Sequence, residues 1–389
     1  MFEHDIDDLK DKGLLRRILD RQGSGEGEAF PSATRIKIGD VEYINFSSND
    51  YLGLASSPAL AAAAIDSLEK FPFGAGASRL LSGGTELHRS LEEKIASFKG
   101  TQSALLFNSG YHANIGSIPA LAGEGDVIFS DELNHASIID GCRLSSARRI
   151  IYRHRDMEHL ASLLESVEGA RKLVITDTVF SMDGDIAPVD KVVSLCSKSP
   201  DTLLFLDDAH GTGVLGNGRG ALAHFNMKPE SWIIQMGTLS KALGSFGAFI
   251  AASRDITDWL TNTSRGLIYS TALPSCVVAA CNAAIDIVEN NAALTDKLWR
   301  NQKRAVAGIK MAGFEIVSDE TPIIAVLVGD INATAALAQE LKQRGIYAPA
   351  IRPPTVKNAR IRVTVSAAHT DEDIDALVSA FKESNTSED

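Results

Sequence analysis

The chain has 389 residues and a formal net charge of −12, with 44% hydrophobic and 23% charged residues. That composition excludes a disordered, collagen-like or coiled-coil chain, and the length allows roughly two to three domains with a sizeable core. No apolar run approaches the ~20 residues of a membrane span. Residues 1–12 are charged and lack an apolar stretch, so no signal peptide is expected. So acidic a chain is a poor candidate for nucleic-acid binding. The four cysteines (Cys142, Cys196, Cys276, Cys281) form no CxxC and no Cys/His cluster. They read as reduced, mostly buried thiols of a cytoplasmic protein without a structural metal.

In chain order, an amphipathic start leads to a Gly-rich loop at Gly23 to Glu28, a short strand at Val41 to Phe46 and an Ala-rich helix at Pro58 to Phe71. Leu91, Ile95 and Phe98 stand at helical spacing and mark one buried face. Apolar strand-like runs follow at 104–107, 127–129, 173–176, 203–206, 233–236 and 248–251, most of them separated by helix-like stretches. This alternation is the signature of an α/β domain with a mainly parallel sheet. From Cys276 towards Met311 a long helical pattern begins. Short strands at 315–317 and 323–328, a helix over 334–344, a strand over 359–365 and a last helix over 371–381 complete a smaller α+β region.

Gly211 to Gly216 is a formal GxGxxG. It follows Asp207-Asp-Ala-His210 rather than a strand directly, and Asn217-Gly-Arg-Gly220 after it is no helix. A Gly-rich loop beside a site is therefore the preferred reading over a nicotinamide fingerprint. Asp207 and His210 stand at the carboxyl end of an apolar strand, where open α/β sheets bind ligands; a solvated loop start is the alternative. Lys241, in Gly237-Thr-Leu-Ser-Lys241, follows another apolar strand. Alone it reads as a surface lysine, but in a pocket of small residues it would be a nucleophilic amine. Together, a Schiff-base lysine, an Asp for a pyridinium nitrogen and a phosphate cradle are what pyridoxal 5'-phosphate (PLP) requires. The cradle would be Gly110 and Tyr111 at a helix start, with Thr238 adding a hydroxyl and His135 a face to stack on the ring. No GxSxG or HExxH occurs, so serine-hydrolase and zinc-protease chemistry has no support.

Seven ordered blocks make the chain similar to the α-oxoamine synthases, PLP enzymes of the aspartate-aminotransferase fold (fold type I). They are Asn45-Phe-Ser-Ser-Asn-Asp-Tyr-Leu-Gly-Leu54, Gly74-Ala-Gly-Ala-Ser-Arg79, Asn134-His-Ala-Ser137, Val179-Phe-Ser-Met-Asp-Gly184, Asp207-Asp-Ala-His-Gly-Thr-Gly213, Thr238-Leu-Ser-Lys241 and Ile268-Tyr-Ser-Thr271. The resemblance implies an N-terminal arm (1–45), a large PLP-binding domain (46–275) with a mainly parallel seven-stranded sheet, and a small C-terminal α+β domain (276–389). It implies that Lys241 anchors PLP and acts as general base, that Asp207 pairs with the ring nitrogen, and that His210 and Ser181 bond the phenolic oxygen. His135 would stack on the ring and polarise a ketone. Gly110, Tyr111 and Thr238 would hold the phosphate, with Ser270 or Thr271 contributed across a homodimer. Arg352 would bind the amino-acid carboxylate, Thr355 would touch substrate, and Arg16, or its neighbour Arg17, would meet the acyl group. Asn49 to Leu54 and Ile351-Arg-Pro-Pro-Thr-Val356 look most like the members that join L-alanine to pimeloyl-CoA or a pimeloyl-carrier protein in biotin synthesis. Glycine with acetyl-CoA is the alternative pair, and a non-catalytic binding protein a remote one. The segment Thr355-Val-Lys-Asn-Ala-Arg360 is shorter than the family's and lacks its Pro and Gly, which bears on acyl-chain selectivity.

Overall fold

The computed structural model describes residues 2–11, 15, 18, 32–167 and 170–385. The strands begin with a hairpin, β1 (Arg35–Ile38) and β2 (Val41–Asn45). Seven follow: β3 (Ser103–Phe107), β4 (Val127–Asp131), β5 (Arg148–Tyr152), β6 (Lys172–Asp177), β7 (Thr202–Asp207), β8 (Ile233–Thr238) and β9 (Ala248–Ala252). These seven form one sheet in the order β3-β9-β8-β7-β6-β4-β5. Only β9 runs antiparallel to its neighbours, so the sheet is mixed but mainly parallel, as the sequence implies.

Strand alternation sorts the side chains between two cores. Val174, Leu204 and Leu206 enter the core that contains Leu91, Ile95 and Phe98 from the helix Glu86–Lys99. Leu173, Ile175 and Phe205 enter the other, with Ala113 and Ile118 from the helix Gly110–Leu121. Both faces are thus covered, which explains the near-continuous apolar runs in sequence.

Two expectations change. The strand β5 does not appear among the apolar runs, because it is an edge strand that exposes Arg148 and Arg149. The long pattern from Cys276 to Met311 is two helices, Ser275–Asn290 and Ala292–Met311. They part at Asn291, whose φ of −133° and ψ of 73° leave the helical region. Asparagine is a weak helix former, so the break falls where little helical preference opposes it. The break lets the first helix pack on Pro58–Leu68 and Glu86–Lys99 while the second packs on Asp371–Asn385.

The C-terminal part adds β10 (Glu315–Ile316), β11 (Ile323–Gly329), β12 (Ile346–Tyr347), β13 (Ala350–Ile351) and β14 (Ala359–Thr364). An antiparallel sheet of order β10-β11-β14-β13 buries Ile324, Val326, Ile361 and Val363 against Leu341, Leu377 and Phe381. Phe46 joins this core, and β12 pairs with β2, so the segment around residue 45 is tied to the C-terminal part. All four cysteines are free thiols, and all but Cys276 are buried. Among the described residues no helix is long and apolar enough to cross a membrane, and no His/Cys/Asp/Glu group could hold a metal ion.

Candidate active site

The site lies at the carboxyl ends of β6, β7 and β8. Asp207 continues the side-chain parity of Phe205, so its carboxylate faces the helix Gly110–Leu121. Asn114 of that helix donates from Nδ2 to Asp207 Oδ2 at 2.7 Å, and the Ala209 amide donates to Oδ1 at 3.1 Å. Asp177 is the in-register neighbour of Asp207 on β6 and accepts the His135 amide at 2.7 Å. Burial pushes both carboxyls above the usual range. At Asp177 the charge of Asp207 adds to the effect. Neither carboxylate has a bonded cation among the described residues.

Lys241 stands three residues after the end of β8, and its side chain reaches the same strand ends. Its Nζ lies 2.7 Å from His210 Nε2, and His210 Nδ1 lies 2.6 Å from the Tyr51 hydroxyl. Burial lowers the Lys241 pKa to about 8 against the pull of Asp207 and Asp177, with the Arg362 guanidinium lowering it further. His210 is held neutral, its pKa driven well down by burial and by the cations Lys241 and Arg362. Burial lifts the Tyr51 hydroxyl to about 12 despite the adjacent Arg362. A buried amine so tuned is about one-tenth free base at pH 7, far more than an ordinary lysine, as a nucleophile or base requires.

His135 caps the helix Ala136–Leu144, and its ring is exposed at the cleft. Water loss in the cleft lowers its pKa, partly offset by Asp207. Gly110 opens its helix after Ser109, whose hydroxyl already serves the His112 amide at 3.2 Å. That leaves the first amides of the helix, Gly110 and Tyr111, for an anion. The Tyr111 side chain itself turns away and donates to Asp140. Thr238 Oγ1 donates to the Gly247 carbonyl at 3.0 Å and caps the turn to Ser240. Ser270 Oγ lies 3.2 Å from His112 Nε2, and the Thr271 carbonyl accepts from Asn108 at 3.0 Å.

The loop that carries Ser181 is locked from three sides. Arg362 donates from Nε to the Ser181 carbonyl at 2.7 Å and from Nη2 to Asn49 Oδ1 at 3.1 Å. Arg360 pairs with Asp183. His154 bridges Asp131 and Asp185, each at 2.9 Å, and meets Phe180 edge-on. Gly184 is required here. Its φ is +76°, and an added Cβ would collide with the Ile323 carbonyl. Arg352 is half-buried and Thr355 exposed; Thr355 N closes a turn on the Arg352 carbonyl at 3.1 Å. Arg352 has no acidic partner among the described residues. Arg16 and Arg17 lie outside the described residues, as does the loop at 23–28.

The donor set fits PLP. A buried carboxylate without a cation suits a pyridinium N–H, an amine of lowered pKa suits a Schiff base, and free helix-start amides suit a phosphate. The model of the family described as aminotransferase class I and II matches residues 41–381. The 8-amino-7-oxononanoate synthase of Geobacter metallireducens is 48% identical over 382 residues, covering 96% of this chain and 95% of that protein. The chain belongs to the class I and II aminotransferases, in the α-oxoamine synthase branch. Among solved structures, serine palmitoyltransferase from S. paucimobilis with bound PLP–myriocin superposes with a TM-score of 0.92 at 29% identity, over 99% of this chain and 98% of that one. 8-Amino-7-oxononanoate synthase from Francisella tularensis gives 0.77 at 29% identity, over 89% and 98%. The fold is therefore fold type I of the PLP-dependent enzymes.

Five site residues escape the sequence reading: Asn114, Asp177, Tyr51, Arg362 and Ser137. Tyr51, Ser137 and Arg362 sit inside blocks or strands already singled out, and Asp177 follows the 173–176 run by one residue. Asn114 had no such signal, since a mid-helix Asn does not reveal its face.

Proposed function

We propose that the chain is an 8-amino-7-oxononanoate synthase. It would condense L-alanine with a pimeloyl thioester, releasing the thiol and CO2. The observation that carries this reading is Lys241 Nζ, set 2.7 Å from His210 at the strand ends that also hold Asp207, in a chain 48% identical to a relative of that name. PLP, when bound, supplies the electron sink. Asp207 keeps a cationic ring nitrogen charged, because its carboxylate favours the protonated form. The Lys241 amine takes and later returns the proton at the alanine Cα. Arg352, assigned by family resemblance, and Arg362, oriented at the site by Asn49 and Ser181, are the guanidinium groups suited to a carboxylate. Thr355 and Arg16 are assigned their substrate contacts by family resemblance.

The active unit in this reading is a homodimer, with Ser270 or Thr271 of one protomer reaching the phosphate in the other. The exposed Phe73, Leu81 and Tyr269 flank this segment, and Ser78 bridges to Thr271, as expected of a surface that a second copy covers.

The test is thiol release by the PLP-loaded protein with two substrate pairs. Faster release from L-alanine and pimeloyl-CoA than from glycine and acetyl-CoA, with an amino-ketone product, is expected. The reverse order would overturn the substrate assignment and keep the family.

A further inference from the structure

An unbroken run of hydrogen bonds joins the His135 ring to Asp207. The Ser137 amide points at His135 Nδ1 at 3.3 Å, and the Ser137 hydroxyl lies 2.7 Å from the same nitrogen. Asn114 Nδ2 lies 2.8 Å from Ser137 Oγ and 2.7 Å from Asp207 Oδ2. Asn114 and Ser137 are both buried, at 0% and 1% exposure, so the bonds between Asn114, Ser137 and Asp207 are shielded from water.

The donors can be assigned one by one. A carboxylate oxygen only accepts, so Asn114 must turn its NH2 to Asp207. Its second N–H then goes to Ser137 Oγ. Ser137 keeps its own hydroxyl proton, and Nδ1 of His135 is the acceptor in reach. A backbone amide only donates, so it independently requires a lone pair on Nδ1. Both bonds place the ring proton on Nε2.

We propose that Asn114 and Ser137 are positioning residues that hold His135 as the neutral Nε2–H tautomer and couple its orientation to Asp207. His135 then offers the cleft a hydrogen-bond donor and no base. The ligand group it selects is an oxygen acceptor, a carboxylate or ketone oxygen of the amino-acid substrate or product. That last step rests on the proposed function, whereas the tautomer does not. The charged groups facing His135 are Asp207 from β7, Asp177 from β6 and Lys241 after β8, with neutral His210 beside them. Asp177 engages the His135 backbone amide, which leaves the ring nitrogens to Ser137 and the cleft.

The experiment is nitrogen-15 NMR of histidine-labelled holoenzyme across pH, with His135→Gln assigning the signal among the nine histidines. Expected is an Nε2-protonated neutral ring through the neutral range. In Ser137→Ala, Nδ1 loses the hydroxyl and keeps the weaker amide bond. Held by the 3.3 Å amide alone, the ring should gain a minor Nδ1–H population beside the Nε2–H form, with kcat down about threefold and the KM for alanine little changed. A wild-type ring protonated on Nδ1, or doubly protonated at neutral pH, would overturn the proposal without any variant. So would a Ser137→Ala spectrum and kcat identical to wild type. A failed condensation assay with the expected tautomer would sink only the proposed function.

Discussion

Asp207 and Asp208 are consecutive, equally buried, and opposite in fate. Strand alternation sends Asp207 to the face with the helix Gly110–Leu121 and Asp208 to the face with the helix Glu86–Lys99. Asp208 is saturated there. It takes Lys99 Nζ at 2.8 Å, Thr178 at 2.7 Å, Thr212 at 3.0 Å and the Ala221 amide at 3.1 Å. Lys99 also holds the Arg219 carbonyl at 2.7 Å. This carboxylate organises the loop from Gly211 to Gly220. A Cβ at Gly211 or Gly220 would run into it, while Gly213 and Gly216 have positive φ and face Ala242 and His224, so packing accounts for the glycines that mimic a nucleotide fingerprint. Among the described residues Asp207 has two side-chain hydrogen bonds and no bonded cation. A buried charge that is fully paired belongs to the fold, and one left short of a cation, in a cleft, is poised for a ligand.

Substitutions at the two positions should separate these roles. The largest effect is expected on the Asp207 side. Asp207→Ala should lose nearly all thiol-release activity, on the order of 10³-fold, while its unfolding midpoint stays near wild type. Wild-type turnover would remove the assignment as ring-nitrogen partner.

Next comes Lys99→Met, which strands the Asp208 charge. It should cost about 3–5 kcal/mol of stability in urea titration, the usual cost of breaking a buried pair. An unchanged midpoint would show that the loop does not depend on Asp208.

His154 provides a smaller, pH-dependent case. Burial disfavours its cation, but bonds to Asp131 and Asp185 outweigh burial and raise its pKa to about 9. The folded value lies above the unfolded one, about 6.5. Its stabilisation, on the order of 2 kcal/mol, is therefore complete below about pH 6.5 and fades as pH rises through about 9. His154→Gln should flatten that part of the stability–pH curve; a curve that keeps its slope would place the titrating group elsewhere.

The smallest effect is expected from replacing all four cysteines by serine. Activity per folded molecule should stay within about twofold, because surface-independent packing thiols act mainly on stability. A larger loss traced to one thiol would give that residue a chemical role.

The comparison also explains what was legible in advance. Lys241, Asp207, His210 and His135 were readable because polar groups directly after apolar strands stand out, and the structure brings them to one set of strand ends. Asp208 was equally visible in the same motif but had no assigned role, since Lys99 lies 109 residues away in sequence. Asn114 and Asp177 acquire meaning only through sheet register and helix placement. The edge strand β5 was hidden by its exposed arginines, and the break at Asn291 by a helical pattern that continues on both sides.

The sequence by itself determined the alternation of buried strands and helices and the family blocks, because each rests on local periodicity or on residues close together in the chain. The tertiary structure decided which face each carboxylate sees, which of two adjacent aspartates is paired, and how the His135 ring is protonated. Those are properties of contacts between segments far apart in sequence, and strand parity and helix packing fix them only once the chain has folded.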